Sequence, residues 1–189
     1  LRYFLRPQTG YNPKYGTTRL GRIGSGATPA ALASAAETVL GVSTTAAAYQ
    51  PDVRLDQLAG LPIQHCAILN NPTLFVQSTT LYLIVECLAF AGPIPDYPNN
   101  TTQVFATNPV GAPASWTWRH AGKLADAQLA VDLDNDTIRQ PDVSLAGDGT
   151  PIALITPAHV DTASPTGTVG DGCVALVLAS IDPPALARG

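Results

Sequence analysis

Charge is what this sequence has least of. Asp, Glu, Lys and Arg make up 13% of its 189 residues, against about 25% in a typical soluble domain. The deficit is filled by Ala, Thr, Pro and Gly, with 16 glycines and 17 prolines. A freely diffusing cytosolic protein keeps a more charged surface for solubility. The composition therefore points to a subunit whose faces are covered by neighbours, or to an extracellular protein. Methionine is absent and the chain begins at Leu1, which predicts a trimmed, processed or partial product. No apolar run approaches the roughly 20 residues that cross a bilayer, and no signal-peptide pattern is present. No membrane partner is expected.

Cys66, Cys87 and Cys173 are odd in number, far apart, and match no C-x-x-C or zinc spacing. Each sits in apolar company, which predicts buried free thiols; one disulfide with a cysteine left over is the alternative. Acids are missing until Glu37. The stretch before it carries Arg2, Arg6, Lys14, Arg19 and Arg22, five of the ten basic residues. Residues 23–189 hold the other five and all fourteen acids, a net of −9. A basic end on an acidic body can contact a polyanion, or the acidic body of a neighbouring copy.

Motifs for nucleotide binding and for catalysis are missing too. Gly21 to Pro29, GRIGSGATP, lacks the Gly-Lys-Ser/Thr of a phosphate loop and the strand and acid of a dinucleotide fingerprint; it reads as a hinge. There is no G-x-S-x-G. His65, His120 and His159 share no metal spacing, and His159-Val160-Asp161 has no nucleophile motif beside it, so His159 reads as a loop hydrogen bond. No catalytic residue, no cofactor and no regular metal site is expected.

What the chain does have is Thr79 to Gly92, TTLYLIVECLAFAG, its densest apolar run. Leu81 to Phe90 carries a single charge, Glu86. The β-branched and aromatic members favour a strand buried on both faces. A carboxylate there must be paired, hydrogen-bonded or neutral, because desolvating it alone is costly. Arg54, Arg119 and Lys123 are its expected partners, in a structural pair or a subunit contact. Gly172 to Ile181, GCVALVLASI, is a second run of the same character.

Taken in order, residues 1–27 are punctuated by Pro7, Gly10, Pro13, Gly16, Gly21, Gly24 and Gly26, too often for a regular element longer than about four residues. Tyr3, Phe4, Tyr11 and Tyr15 make this stretch richer in aromatics than a disordered tail. It reads as an extended arm that docks on a neighbour, with Arg2, Arg6, Lys14, Arg19 and Arg22 at the rim. Residues 28–189 read as one domain. Thr28-Pro29 opens a helix over 29–40, and Pro51 to Gly60 reads as a helical turn. Strands are expected at Pro62–Leu69, Thr73–Ser78, the central run, Thr102–Thr107, Ser115–His120, Ala127–Leu133, Ile152–Thr156 and the second apolar run. Asn70-Asn71-Pro72 reads as a turn, Ser78-Thr79 as a break, and Asp134 to Asp142 as a polar connection. The sum is a mainly β fold: an antiparallel β-sandwich, with a jelly roll as the finer expectation, one or two short helices on the N-terminal side, and the arm.

Three further groups carry chemistry on paper. Asp132, Asp134 and Asp136 alternate carboxylates as a calcium loop does, but Thr137 and Val143 stand where an EF-hand needs Gly and Glu. A less regular cation site, completed by Asp142 or another subunit, competes with a solvated strand end. Trp116 and Trp118 share a strand face and form a sugar- or base-stacking surface if exposed, or core filling if not. Asn99, Asn100 and Asn135 head Asn-x-Thr sequons. Together the sparse charge, the missing site, the basic aromatic arm and the acidic body point to a structural subunit of a self-assembling shell. Its expected setting is a virion, as a capsid or capsid-decoration protein, and its partners are other copies of itself or a companion shell protein. Nucleic acid is a weak second partner. The physics requires self-association alone; the virion setting is an association from overall style. The alternative is a secreted hydrolase or carbohydrate-binding module using Trp116, Trp118 and nearby acids.

Overall fold

The computed structural model describes residues 2–8, 19–35, 38–42, 66–91, 94–95, 99–112, 115–161, 168–170 and 172–187. Near the N-terminus, β1 (Arg2–Gln8) and β2 (Arg19–Gly26) pair antiparallel; after the short helix α1 (Pro29–Ala33), β3 (Thr38–Val42) joins β2 in a three-stranded sheet. An arm without regular elements was the expectation here, and the glycines are the reason it fails. They keep their N–H and C=O groups, so they pair in a ladder as well as any residue. The one register shift between β1 and β2 falls between Arg6 and Gln8, at Pro7, which has no N–H to donate.

Thr28 caps α1 as expected, its hydroxyl accepting from the Ala31 N–H at 3.1 Å. The helix ends at Ala33 rather than residue 40. Thr38 and Val39, both β-branched, instead pair with Ile23 and Arg22 of β2. The sheet thus crosses the boundary expected at residue 27. Tyr11, Lys14, Tyr15, Arg54 and the helical turn over 51–60 lie outside the described residues.

The first large sheet follows as β4 (Cys66–Gln77), β5 (Thr80–Ala91), β6 (Ile94–Pro95), β7 (Thr101–Thr107) and β8 (Arg119–Ala125), in the order β4-β5-β7-β8 with β6 beside β5. β4 and β5 turn at Ser78-Thr79, as expected, with Ser78 at φ 56°. Asn70-Asn71-Pro72 is not a turn but a bulge within β4, between the Asn70 and Thr73 registers, with Asn71 at φ 45°. Leu81 to Cys87 of β5 are all buried, the two-faced burial its composition demands.

The second sheet is preceded by α2 (Ala127–Asp132) and built from β9 (Thr137–Leu145), β10 (Pro151–Val160), β11 (Thr168–Gly170), β12 (Val174–Ile181) and β13 (Pro184–Leu186). β9 lines one side of β10; β12 and β11 line successive halves of the other, and β13 lies beyond β12. Two expectations are overturned. Ala127–Leu133 is largely helical because Asp126 caps it, accepting from the N–H groups of Gln128 (3.1 Å) and Leu129 (3.4 Å). Six helical residues are too few for period to separate helix from strand. Asp134–Asp142 is mostly β9, disguised by a bulge at Gln140-Pro141 that shifts the register between Arg139 and Asp142, with Gln140 at φ 48°.

The sheets share one core in a sandwich-like arrangement. Phe75, Tyr82, Ile84, Val104, Ala106 and Leu124 of the first meet Val143, Ala153, Leu178 and Ile181 of the second, while Leu129 and Ala130 of α2 close one end with Ile138 and Ile155. At one edge β8 meets β13, where a Cβ on Gly122 would lie 2.8 Å from Pro184 Cδ; only glycine permits that approach. Apart from the small β6 and β11 additions, neighbours within each sheet are consecutive strands. Both are meanders, and the crossing connections of a jelly roll have no counterpart among the described residues. Among those residues no helix is long and apolar enough to cross a membrane.

Candidate functional site

Among the described residues the buried carboxylate is Glu86, which lies between the two sheets. β5 alternation turns Tyr82, Ile84 and Glu86 toward the second sheet, and the carboxylate is fully buried. Oε1 is paired with the Arg139 guanidinium of β9; Oε2 accepts from the Asn71 amide at 2.7 Å. Of the three expected partners Arg54 lies outside the described residues, and the cation seen here is one that sequence reasoning missed, because Arg139 sits in the segment taken for a connection. Arg119 instead binds Asp182, with one contact of 2.7 Å, and Lys123 binds Asp126 at 3.3 Å. Asn71 and Gln140, the residues at positive φ beside the pair, are each followed by a proline. The two bulges aim the amide and the guanidinium at the same carboxylate. Burial pushes the Glu86 carboxyl above its ordinary value, with Arg139 and Asn71 pulling the other way.

Thr102 stands opposite Glu86 on β7, and its buried hydroxyl has no hydrogen-bond partner. Removing an unsatisfied buried group while keeping the shape relieves a desolvation cost. Thr102→Val is expected to raise the unfolding free energy by about 1 kcal/mol in a urea titration.

Glu86 itself has no exposed surface, while the Arg139 side chain that pairs with it is 21% exposed. Trp116 and Trp118 are buried, their rings edge to face at 6.4 Å, with the Trp116 indole N–H donating to the Gly111 carbonyl at 3.3 Å. The exposed platform required for sugar stacking is not formed by them. On the other face of β7, His120 Nε2 lies 2.9 Å from Gln103 Oε1 and its ring meets Phe105.

The aspartates do not converge. Asp132 ends α2 and accepts from the Gln128 amide at 2.8 Å; Asp134 is exposed in the following turn at φ 56°. Asp136 accepts from the Val160 N–H at 2.8 Å and lies 3.4 Å from His159 Nδ1. The helix, unforeseen, is what points them apart, and among the described residues no group of three or more His, Cys, Asp and Glu side chains could hold a metal ion. Of the sequons, Asn100 is buried and donates to Thr137 Oγ1 at 3.2 Å. The expectation of buried free thiols is overturned: Cys87 is disulfide-bonded, and Cys173, in the turn before β12, is free and exposed. The side chain of Cys66 lies outside the described ones.

Sequence reasoning also missed a surface. The second apolar run has the character of the first, yet the outer side of β12 is open. Val177 is 51% exposed and Leu154, on the neighbouring strand, 40%. Ile152 pairs with Val177 and Leu154 with Ala175, so the outer face across β10 and β12 is apolar for two strands. Ser144 and Asp142 of β9 stand opposite Ile152 and Leu154 at its rim. The signal was the uniform hydrophobicity of GCVALVLASI, which records apolar side chains on both faces without saying what covers them. Comparison with protein-family models, with curated proteins and with solved structures finds no match.

Proposed function

We infer that this protein is a structural subunit that works by self-association, as a capsid or capsid-decoration component of a viral shell, without catalysis. The observation that carries the reading is the apolar strip on the outer face of β10 and β12, where Ile152, Leu154, Ala175 and Val177 stand side by side. Water gains by covering such a patch, and the same sheet face on two copies can pair about a two-fold axis. The sparse surface charge supports the same reading, since covered faces need little. A disulfide at Cys87 fits an oxidising setting such as a virion surface or the extracellular space rather than the reducing cytosol. Sedimentation of the full chain is expected to reveal multi-copy species, and Val177→Asp is expected to shift them toward single chains with an unchanged circular dichroism spectrum. A parent chain that stays single at every concentration overturns the reading.

A further inference from the structure

Asn99, Asn100 and Asn135 each head an Asn-x-Thr sequon, and the fold separates them. Asn100 is buried and donates to Thr137 Oγ1, the hydroxyl of the third sequon. Thr102, which completes the second, has no exposed surface. The Asn135 amide is turned inward, with Nδ2 donating to the Leu133 carbonyl at 2.8 Å and Oδ1 buried. A saccharide on Asn100 would have to sit between the sheets, and one on Asn135 would compete with the Leu133 carbonyl for the same nitrogen.

Asn99 differs. It stands in the turn that leads into β7, its side chain is exposed, and Asn100 and Thr101 complete its sequon. Thr101 is half-buried, its hydroxyl accepting from Gln103 Nε2 at 2.7 Å. A shift of one position along the chain separates a core amide from a surface one. Exposure is half of what such a site needs; the other half is the compartment. Cys87 is disulfide-bonded, which belongs to an oxidising lumen, and asparagine sequons are glycosylated in proteins routed through one. Thr101 pairs with Cys87, so both signs lie at one end of the first sheet.

We propose that Asn99 is the attachment site of an N-linked glycan, and that Asn100 and Asn135 stay unmodified in the folded protein. The donor class is a lipid-diphosphate oligosaccharide. Asn99 Nδ2 bonds to the anomeric carbon as the bond from that carbon to the diphosphate breaks. The lipid diphosphate leaves with the electron pair, and the amide proton passes to a base of the transferase. A chain modified on Asn100 before folding would have to bury the saccharide hydroxyls, a cost the core does not repay, so the folded fraction selects Asn99. The proposal draws on the oxidising setting and is independent of self-association. Asn100 reaches Thr137, which pairs with Ala158 at the far end of β10. Leu154 lies four residues before Ala158 along that strand, about 14 Å away, so the glycan and the apolar strip occupy separate surfaces.

The test directs the full chain into the secretory lumen of eukaryotic cells with an added signal sequence. The secreted product is treated with a glycan-releasing amidase, which leaves aspartate at the attachment position. The parent is expected to lose mass on treatment, with peptide mapping placing aspartate at 99 and at neither of the other two asparagines. Asn99→Gln is expected to abolish the shift entirely, without moving it to Asn100. Thr101→Ser, which keeps the sequon hydroxyl, is expected to retain it. A secreted parent with no releasable glycan overturns the proposal, as does a glycan at Asn100 or Asn135 in secreted chains. A parent held inside the cell with Asn99 unmodified overturns it too. None of these results touches the sedimentation of the parent, so the two readings fail separately.

Discussion

Arg139→Met is expected to lower the unfolding free energy by about 3–5 kcal/mol at neutral pH. The substitution leaves Glu86 without its cation in a position that has no exposed surface. The Asn71 amide can hold one oxygen but supplies no charge. Adding Glu86→Leu is expected to restore most of the loss, because a buried pair replaced whole by apolar groups is often neutral or better. A double-mutant cycle by urea titration checks both statements. The pH dependence has a definite sign. Burial raises the folded carboxyl above its unfolded value, so the native state holds this proton more tightly than the unfolded chain. The stability from that proton is fully present below the unfolded value and is lost as pH rises through the folded one. Without Arg139 the folded value climbs further, and acidification is expected to return part of the lost stability. A loss that is flat with pH would mean that Glu86 is not the group responsible.

Trp118→Ala is expected to cost about 3–5 kcal/mol, the usual range for emptying a buried large aromatic. Trp118 is 4% exposed and packs against Trp116, so the change opens a cavity rather than trimming a surface. An exposed indole serving as a sugar platform would cost no more than about 0.5 kcal/mol on truncation. The same urea titration therefore separates a core residue from a binding one, and a near-neutral result would revive the carbohydrate-binding alternative.

Legibility in the sequence followed the uniqueness of each local signal. β5 was readable because its apolar run leaves no choice but burial on both sides. The Ser78-Thr79 turn and the Thr28 cap were readable because a few residues determine them. α2 was not, since Ala127, Leu129, Val131 and Leu133 alternate as a strand would; the Asp126 side chain decided otherwise by taking two N–H groups. β9 hid behind Arg139, Gln140 and Asp142, whose polarity resembles a loop until the facing sheet provides Glu86 and Thr73 as partners, the latter donating to Asp142 Oδ1 at 2.7 Å. The partner of Glu86 was unreadable for the same reason, because 53 residues separate it from Arg139. The open side of β12 eluded composition altogether. Hydrophobicity tells which side chains avoid water, and only the arrangement of the sheets tells which of them remain in it.

The consecutive strand order has a consequence for how the chain acquires its shape. Every ladder in the two large sheets joins stretches that are close along the backbone, so the entropy lost in bringing them together stays small. Each meander can complete its own hydrogen bonding before the other exists. The two meanders are then held to each other by their shared apolar core and by the Glu86–Arg139 pair.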